Sequence, residues 1–365
     1  MSVEADDRRF MAAAIRLGNS HLGQTSTNPS VGCVIVKNGE IVGAAVTAFS
    51  GRPHAETQAL ANAGENARGA TAYVTLEPCS HFGKTPPCAS ALVAAGVARV
   101  VVAVSDPDPR VSGRGLKILA DAGIEVVTGV LHDEAARGLS GYLTRHIHKR
   151  AQVILKLAVS RDGMMGRKGE GQIAITGAIA RAQVQLLRAE TDAILVGIGT
   201  AKADNPELTV RLKGMEHLSP LRIVLNRRLD LPLSSSMVTT ARQVPTLCAC
   251  CHAGDFTCDE AFSARQTALN ENGVEVIKVT DLADLLSQLA TRGISSVMVE
   301  GGAAVANAFL AANLVDRIHL YQGSVEIGVD GLASPLTSAN IPSIFRHVRS
   351  AQFGADTFDE YERDL

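Results

Sequence analysis

Thr71-Ala72-Tyr73-Val74-Thr75-Leu76-Glu77-Pro78-Cys79 decides how the first half of the chain reads. Its β-branched and aromatic residues predict a strand over Thr71 to Glu77, which Pro78 stops just before a cysteine. Cys88 follows after eight intervening residues and opens a predicted helix to Ala95. Upstream, Gly32 to Val36 and Ile41 to Val46 flank Asn38-Gly39, the signature of a two-residue hairpin turn. Pro53 suits a first helical turn, with His54 to Ala63 as the helix behind it, and Phe10 to Leu22 reads as a further helix. Downstream come strand Arg99 to Val104, helix Gly115 to Ala122 and strand Glu125 to Val130. Strands alternating with short helices predict an α/β fold, its sheet largely parallel and covered on both faces.

Three side chains fall at the ends of these elements: His54, Cys79 and Cys88. One imidazole and two thiolates make a three-ligand zinc site and leave the fourth tetrahedral position open to water. Bound zinc brings the pKa of that water from about 15.7 to about 7. Glu56 lies two residues past the histidine and is not needed as a ligand. It is therefore placed to carry protons between the water and a leaving amine. Histidine-x-glutamate followed by proline-cysteine is the signature of zinc nucleobase deaminases. A structural site would need a fourth ligand, for which Cys33 and His81 are the nearby candidates, and Cys33 lies in an apolar strand. The excursion Ser80 to Pro87 is long, so His81, Lys84 and Thr85 can reach a substrate beside the metal. Lys84 suits a substrate phosphate.

Glu134 to Lys149 reads as a helix ending in Arg145-His146-Ile147-His148-Lys149-Arg150, a basic run that could suggest phosphate binding but is expected to be a solvated helix end at a domain boundary. A second alternating series starts at strand Gln152 to Val159. It continues through helix Gly177 to Glu190 and strands Ala193 to Gly197, Arg222 to Asn226, Thr246 to Cys250 and Val274 to Val279. Helix Leu282 to Thr291, strand Ser296 to Glu300, helix Ala303 to Asn313 and a β-region from Arg317 complete it. Residues 1–149 and 150–365 are thus expected to form separate domains. Val297 to Glu300 runs into Gly301-Gly302 and a helix, where unpaired N–H groups and a positive dipole end suit a pyrophosphate. Gly197-Ile198-Gly199 is a weaker fingerprint, and Arg227-Arg228 could meet the extra phosphate of NADPH. Cys248 and Cys250 would share one strand face and Cys251 the other, so with His252 and Cys258 they read as buried strand cysteines rather than a second metal site.

The chain has 365 residues, 46% hydrophobic and 20% charged, which suits a two-domain globular protein. A net charge of −2 and 4% aromatics disfavour a nucleic-acid footprint, and no run is long and apolar enough to span a membrane. Seven cysteines behind an N-terminus without an apolar signal core fit a reducing cytoplasm.

The segments Thr27 to Cys33, His54-Ala55-Glu56, Thr75 to His81 and Gly83 to Cys88 closely resemble the bifunctional deaminase–reductase family of bacterial riboflavin biosynthesis. So do Gln185 to Glu190, Asp204 to Arg211 and Val299 to Gly302, and the likeness covers nearly the whole chain in order. It implies an N-terminal three-layer domain of cytidine-deaminase fold and a C-terminal α/β domain like dihydrofolate reductase. The first would deaminate 2,5-diamino-6-(5-phosphoribosylamino)pyrimidin-4-one. The second would reduce the ribosyl group of 5-amino-6-(5-phosphoribosylamino)uracil with NADPH. His54, Cys79 and Cys88 would bind zinc, Glu56 would shuttle protons and Asn28 would hold the pyrimidine. Cofactor contacts would fall at Ala158, Ala174, Thr200, Asp204, Arg227, Gly302, Ala303, Ala304, Val305, Ala306, Asn307 and Ala308. Substrate contacts would fall at Gln172, Arg188, Leu208, Arg211 and Glu300, with Arg188 and Arg211 suited to clamp the ribose phosphate. Two departures stand out: Gln172-Ile173-Ala174 lacks the aromatic wall of many relatives, and Asp108 stands where they commonly have asparagine. The expected partners are small phosphoribosylated pyrimidines and further copies of the chain in a homo-oligomer, with neither nucleic acid nor membrane. Two other readings stay open, a nucleic-acid deaminase with an appended binding domain and a zinc-stabilised scaffold without catalysis.

Overall fold

The structure is a computed structural model that describes residues 3–82, 86–109, 111–167, 169–251 and 259–363. The chain divides into two compact units, Met1–Lys149 and Arg150–Leu365.

The first unit runs α1 (Val3–Asn19), β1 (Gly32–Lys37), β2 (Glu40–Val46), α2 (Ala55–Ala63), β3 (Thr71–Leu76), α3 (Cys88–Ala95), β4 (Arg99–Val104), α4 (Arg114–Asp121), β5 (Glu125–Thr128) and α5 (His132–Ile147). Its five strands lie in the order β2-β1-β3-β4-β5. The sheet is less parallel than the alternation of elements predicts, because β1 runs antiparallel to both β2 and β3 and only β3, β4 and β5 are parallel. The cause is local. Asn38 and Gly39 both take positive φ, 54° and 82°, and so tight a turn can only return the chain antiparallel. α1 and α5 pack together on one face, while α2, α3 and α4 form a row on the other. β1 and β3 are therefore buried on both sides, and their Cys33, Val34, Ile35, Ala72 and Val74 are wholly inaccessible. Helix α2 begins one residue later than expected, with His54 as its N-cap in extended backbone after a cis Arg52-Pro53 bond.

The second unit contains β6 (Gln152–Val159), β7 (Met164–Arg167), α6 (Ala178–Ala189), β8 (Ala193–Gly197), α7 (Ile198–Asp204), β9 (Leu221–Leu225), α8 (Ser236–Thr239), β10 (Thr246–Cys251), α9 (Glu260–Glu271), β11 (Val274–Val279), α10 (Leu282–Thr291), β12 (Ser296–Val299), α11 (Ala303–Ala311), β13 (Arg317–Gln322), β14 (Gly331–Ala333), β15 (Phe345–Phe353) and β16 (Asp356–Arg363). Nine strands form one sheet in the order β11-β10-β9-β8-β12-β6-β13-β16-β15, parallel from β11 to β13 and antiparallel beyond. From β8 the chain steps outward to β9, whereas from β12 it crosses the other way to β13. The order thus reverses between β8 and β12, the place where open α/β sheets bind ligands beyond their strand C-termini. Cys248 and Cys250 share one face of β10 and are fully buried there, and the Cys250 thiol donates to the Ile277 carbonyl at 3.1 Å. They are buried strand cysteines, while His252 and Cys258 lie outside the described residues.

Candidate active sites

In the first unit, β3 delivers Glu77-Pro78-Cys79 at its C-terminal end, beside the N-termini of α2 and α3. His54 Nδ1 lies 3.7 Å from Cys79 Sγ and 3.4 Å from Cys88 Sγ. Tetrahedral zinc, with bonds near 2.3 Å to sulfur and 2.0–2.1 Å to nitrogen, sets a nitrogen and a sulfur ligand about 3.5–3.6 Å apart. The two contacts bracket that edge, so the three donors fit the ion. Among the described residues they form the one His, Cys, Asp and Glu group close enough to hold a metal, and Cys33, packed in the core, is not part of it. Their chemistry agrees. Hydrogen bonding from the Cys88 thiol, reinforced by His54, holds the Cys79 thiol well below its ordinary value, whereas sharing that bond and burial push Cys88 up. The hydrogen bond to Cys79 raises His54. One thiolate, one thiol and an imidazole crowded together are what a divalent cation would settle. Glu56 is 3% exposed beside them, and burial pushes its carboxyl up against the opposing charge of His54.

A cleft of about 210 Å³ opens onto this cluster. Asn28 and His81 line it with His54, Glu56 and Cys79, as do five residues the sequence did not single out as contacts: Arg52, Asp106, Tyr142, Arg145 and His146. Lys84 and Thr85 lie outside the described residues. Asn28 is held by its own turn, its carbonyl accepting from Thr25 Oγ1 at 2.7 Å, and it lies against Gly51. Gly51 has φ 85°, and a Cβ there would come 2.3 Å from Asn28 Nδ2, so only glycine leaves room for the amide. Glu77 braces the opposite wall. Its carboxylate accepts from the backbone N–H groups of Asp106, Gly113 and Gly115 at 3.3, 3.2 and 3.1 Å. A Cβ on Gly115 would meet the Pro78 carbonyl at 2.0 Å, one residue from the ligand Cys79.

The basic run is not a uniformly solvated helix end. Arg145 reaches the cleft and donates to the Thr27 carbonyl at 2.6 Å, and Arg150 binds Asp316 through both Nη atoms at 2.7 and 2.6 Å. Tyr142 lies one helical turn before Arg145 on the same helix, but among Leu139, Leu143 and Ile147 it does not stand out in the sequence.

In the second unit, Glu300, Thr200 and Gly302 lie at the C-terminal edge of the parallel strands. Glu300 follows β12 and is pinned between Lys156 Nζ at 3.2 Å and Arg188 Nη2 at 2.9 Å. Burial alone would push its carboxyl up, but those two cations carry it down to about 2. Arg188 is buried, not outward-facing, and also donates to the Thr209 carbonyl at 3.0 Å, which brings the 208–211 segment alongside. Leu208 is buried with φ 55°, and Arg211 is exposed and loosely paired with Glu207 at 3.4 Å. Thr200 Oγ1 accepts from the Gly302 N–H at 3.1 Å and so bridges the point where strand order reverses. α11 begins at Gly302 without a side-chain cap, leaving the amides of its first turn open to an anion. Ala303 and Val305 are half-buried, Ala304, Asn307 and Ala308 exposed, and Ala306 packs into the core. Ala158 pairs in register with Tyr321 of β13, Asp204 ends α7, and Arg227 follows β9 at the same edge. Gln172 and Ala174 are exposed on the segment before α6. The Gly197-Ile198-Gly199 segment is the start of α7, with Gly197 as its N-cap.

Residues 4–104 match the family described as the cytidine and deoxycytidylate deaminase zinc-binding region, and residues 151–358 match the RibD C-terminal domain. The chain belongs to the RibD family. It is 41% identical over 345 residues to the riboflavin biosynthesis protein RibD of Escherichia coli, covering 89% of both chains. It is 40% identical over 317 residues to that of Aquifex aeolicus, covering 86% of both. Among solved structures, Acinetobacter baumannii RibD superposes with a TM-score of 0.86 at 36% identity over the whole of both chains. A diaminohydroxyphosphoribosylaminopyrimidine deaminase/5-amino-6-(5-phosphoribosylamino)uracil reductase from Thermotoga maritima gives 0.84 at 31%, again over both chains in full. The protein is a bifunctional enzyme of riboflavin biosynthesis, with a zinc-binding deaminase domain followed by a reductase domain. No helix among the described residues is long and apolar enough to cross a membrane.

Proposed function

We propose that the first unit hydrolyses the ring amine of 2,5-diamino-6-(5-phosphoribosylamino)pyrimidin-4-one. The second unit then reduces the ribosyl group of the resulting 5-amino-6-(5-phosphoribosylamino)uracil to ribityl. The observation that carries this reading is a three-donor cluster with the buried carboxyl of Glu56 beside it, facing a cleft. His54, Cys79 and Cys88 would hold zinc, which when bound would supply a water acidic near neutral pH. Glu56 is placed to take one proton from a water whose oxygen adds to the amine-bearing carbon and to hand it to the amine, which leaves as ammonia; the remaining hydroxyl proton passes to the ring nitrogen as the carbonyl forms. Asn28 orients the ring. His81 offers a buried Nδ1 without a hydrogen-bond partner, suited to a polar edge of the pyrimidine, and Lys84 and Thr85 belong to the same excursion.

In the second unit NADPH supplies the hydride. The first turn of α11, Gly302 to Ala308, with Thr200, holds its pyrophosphate, and Ala158, Ala174, Asp204 and Arg227 complete its contacts. Glu300, fixed between Lys156 and Arg188, accepts hydrogen bonds from the sugar, flanked by Gln172 and the Leu208 backbone. Arg188 has its fork engaged by Glu300 and Thr209, so the ribose phosphate falls chiefly to Arg211. We place the enzyme in the cytoplasm, supported by free Cys33, Cys79, Cys88, Cys248 and Cys250. We also propose that it is a homo-oligomer, which the edge strand β15 of the large sheet favours.

The test follows ammonia and NADPH on the diamino substrate. Wild-type chain releases ammonia without NADPH and oxidises NADPH only after deamination. Glu56→Gln loses roughly 10²–10⁴-fold in ammonia release while keeping its zinc. Ammonia release by Glu56→Gln at the wild-type rate would refute the assignment.

A further inference from the structure

Arg222, at the start of β9, is wholly buried and has no part in the chemistry above. We propose that Arg222 is a positioning residue of the reductase: with Arg188 it holds the 207–211 segment in the conformation that presents Leu208 and Arg211 to the phosphoribosyl group of the substrate. The inference rests on the reading that those two residues touch the substrate, and it names what keeps them in place.

Residues 207–211 form neither helix nor strand, so side chains from elsewhere satisfy their backbone and fix their path. Arg222 Nη1 donates to the Glu207 carbonyl at 3.1 Å, and Arg188 Nη1 donates to the Thr209 carbonyl at 3.0 Å. Ser219 Oγ accepts from the Val210 N–H at 3.0 Å, and Gln185 Oε1 from the Arg211 N–H at 2.8 Å. Between the two clamped carbonyls sits Leu208, buried with φ 55°. A bulky residue takes that left-handed backbone at a cost, and keeps it only where its surroundings over-determine it. The two guanidiniums on the flanking carbonyls supply that constraint. Relaxed to ordinary backbone, Leu208 would turn the peptides on either side of it and carry Arg211 elsewhere.

The partners of Arg222 fit this role. Its Nη1 also donates to Thr240 Oγ1 at 2.9 Å, and its Nη2 to the carbonyls of Met237 and Val244 at 3.1 and 2.7 Å. All four acceptors are neutral, so the guanidinium is not held by a carboxylate in contact. Burial pushes it down to about 10, against the opposing pull of Glu207. A charge kept inside on those terms is costly, and its rigid fork is what ties Glu207 to α8 and to the residues before β10. The Glu207 carboxylate in turn lies 3.4 Å from Arg211 Nη1. Glu207 thus joins Arg222, through its carbonyl, to Arg211, through its carboxylate.

The experiment follows NADPH oxidation by the full chain on 5-amino-6-(5-phosphoribosylamino)uracil, comparing wild type with Arg222→Lys and Thr240→Val. Lysine keeps the charge but cannot span the four acceptors together, and Thr240→Val removes one anchor of the same Nη1. The expected result is a KM for the uracil that rises roughly tenfold in Arg222→Lys and less in Thr240→Val, because apparent affinity falls with the fraction of chains in the competent conformation. The kcat at saturation, the Kd for NADPH and ammonia release by the first unit stay near wild type. In an Arg211→Gln background Arg222→Lys adds less than it does alone, since both act on one contact. An unchanged KM in both variants, or full additivity with Arg211→Gln, would make Arg222 a support of the fold alone and overturn the proposal. So would losses in kcat and NADPH affinity as large as the rise in KM. If Arg222→Lys does not fold, Thr240→Val and its additivity with Arg211→Gln decide the matter. An Arg211→Gln chain with the wild-type KM defeats the substrate reading of the segment, and this inference with it.

Discussion

Glu77 touches no reacting group, yet replacing it by glutamine is expected to disable the deaminase unit selectively. Its Oε2 accepts from the N–H groups of Asp106 and Gly113, and its Oε1 from that of Gly115. The side chain is 3% exposed, so water does not replace a lost acceptor. In Glu77→Gln the amide oxygen can take the place of Oε2, but the NH₂ group then points at the Gly115 N–H. One buried donor left unsatisfied costs about 1–3 kcal/mol, and the two remaining bonds lose the charge assistance worth up to about 1 kcal/mol each. The sum is about 1–5 kcal/mol, concentrated in the wall that carries Asp106 and approaches Pro78. Denaturant unfolding of the full chain, followed in parallel by ammonia release and NADPH oxidation, separates the two units. Loss of ammonia release should move to lower denaturant, while loss of NADPH oxidation on the supplied uracil intermediate stays in place. If the two losses move together, or neither moves, the carboxylate is not the brace of that wall and the reasoning fails.

Removing the metal with a chelator should abolish ammonia release and leave reduction of the uracil intermediate intact, with zinc restoring the former; loss of both would contradict two independent sites. In the second unit the lowered carboxyl of Glu300 contributes stability above its ordinary value of 4.5 that disappears as pH falls toward about 2. Glu300→Gln should therefore be less stable than wild type near neutrality, with the gap closing between pH 4.5 and 2; a gap constant across that window, measured by acid unfolding, would exclude the ion-pair account. Thr200→Val leaves the Gly302 N–H without its acceptor at the start of α11, an expected cost of about 1–3 kcal/mol. Weaker NADPH binding by equilibrium fluorescence titration checks it, and unchanged affinity would place the cofactor elsewhere.

Much of the fold was legible from local patterns. The strand Arg99–Val104, helix Cys88–Ala95, strand Gln152–Val159 and helix Leu282–Thr291 have the boundaries their apolar periodicity predicts. Helix α9 was missed because only Phe262 and Leu269 are buried along it, so no apolar stripe announces it, although Asp259 caps it by accepting from the Phe262 N–H at 2.6 Å. The three metal donors and Glu56 were readable because each lies within a few residues of an element's end: His54 caps α2, Glu56 is in its first turn, Cys79 follows β3 and Cys88 opens α3. Arg145 was not, since a cation at a helix end looks the same in sequence whether it meets water or a cleft.

Residue type and spacing were thus enough to single out the three donors that lie together, the carboxyl beside them, the alternation of strands and helices and the family, because those signals are local. Which charges are buried together was decided only by folding. Arg222, at the start of β9, is wholly buried with its guanidinium donating to Glu207, Met237, Val244 and Thr240. Glu300 meets Lys156 and Arg188 from residues more than a hundred positions away. The reversal between β8 and β12 that joins Thr200 to Gly302 is likewise a property of strand order. Such contacts depend on which strands become neighbours, and no local run of residues encodes that choice.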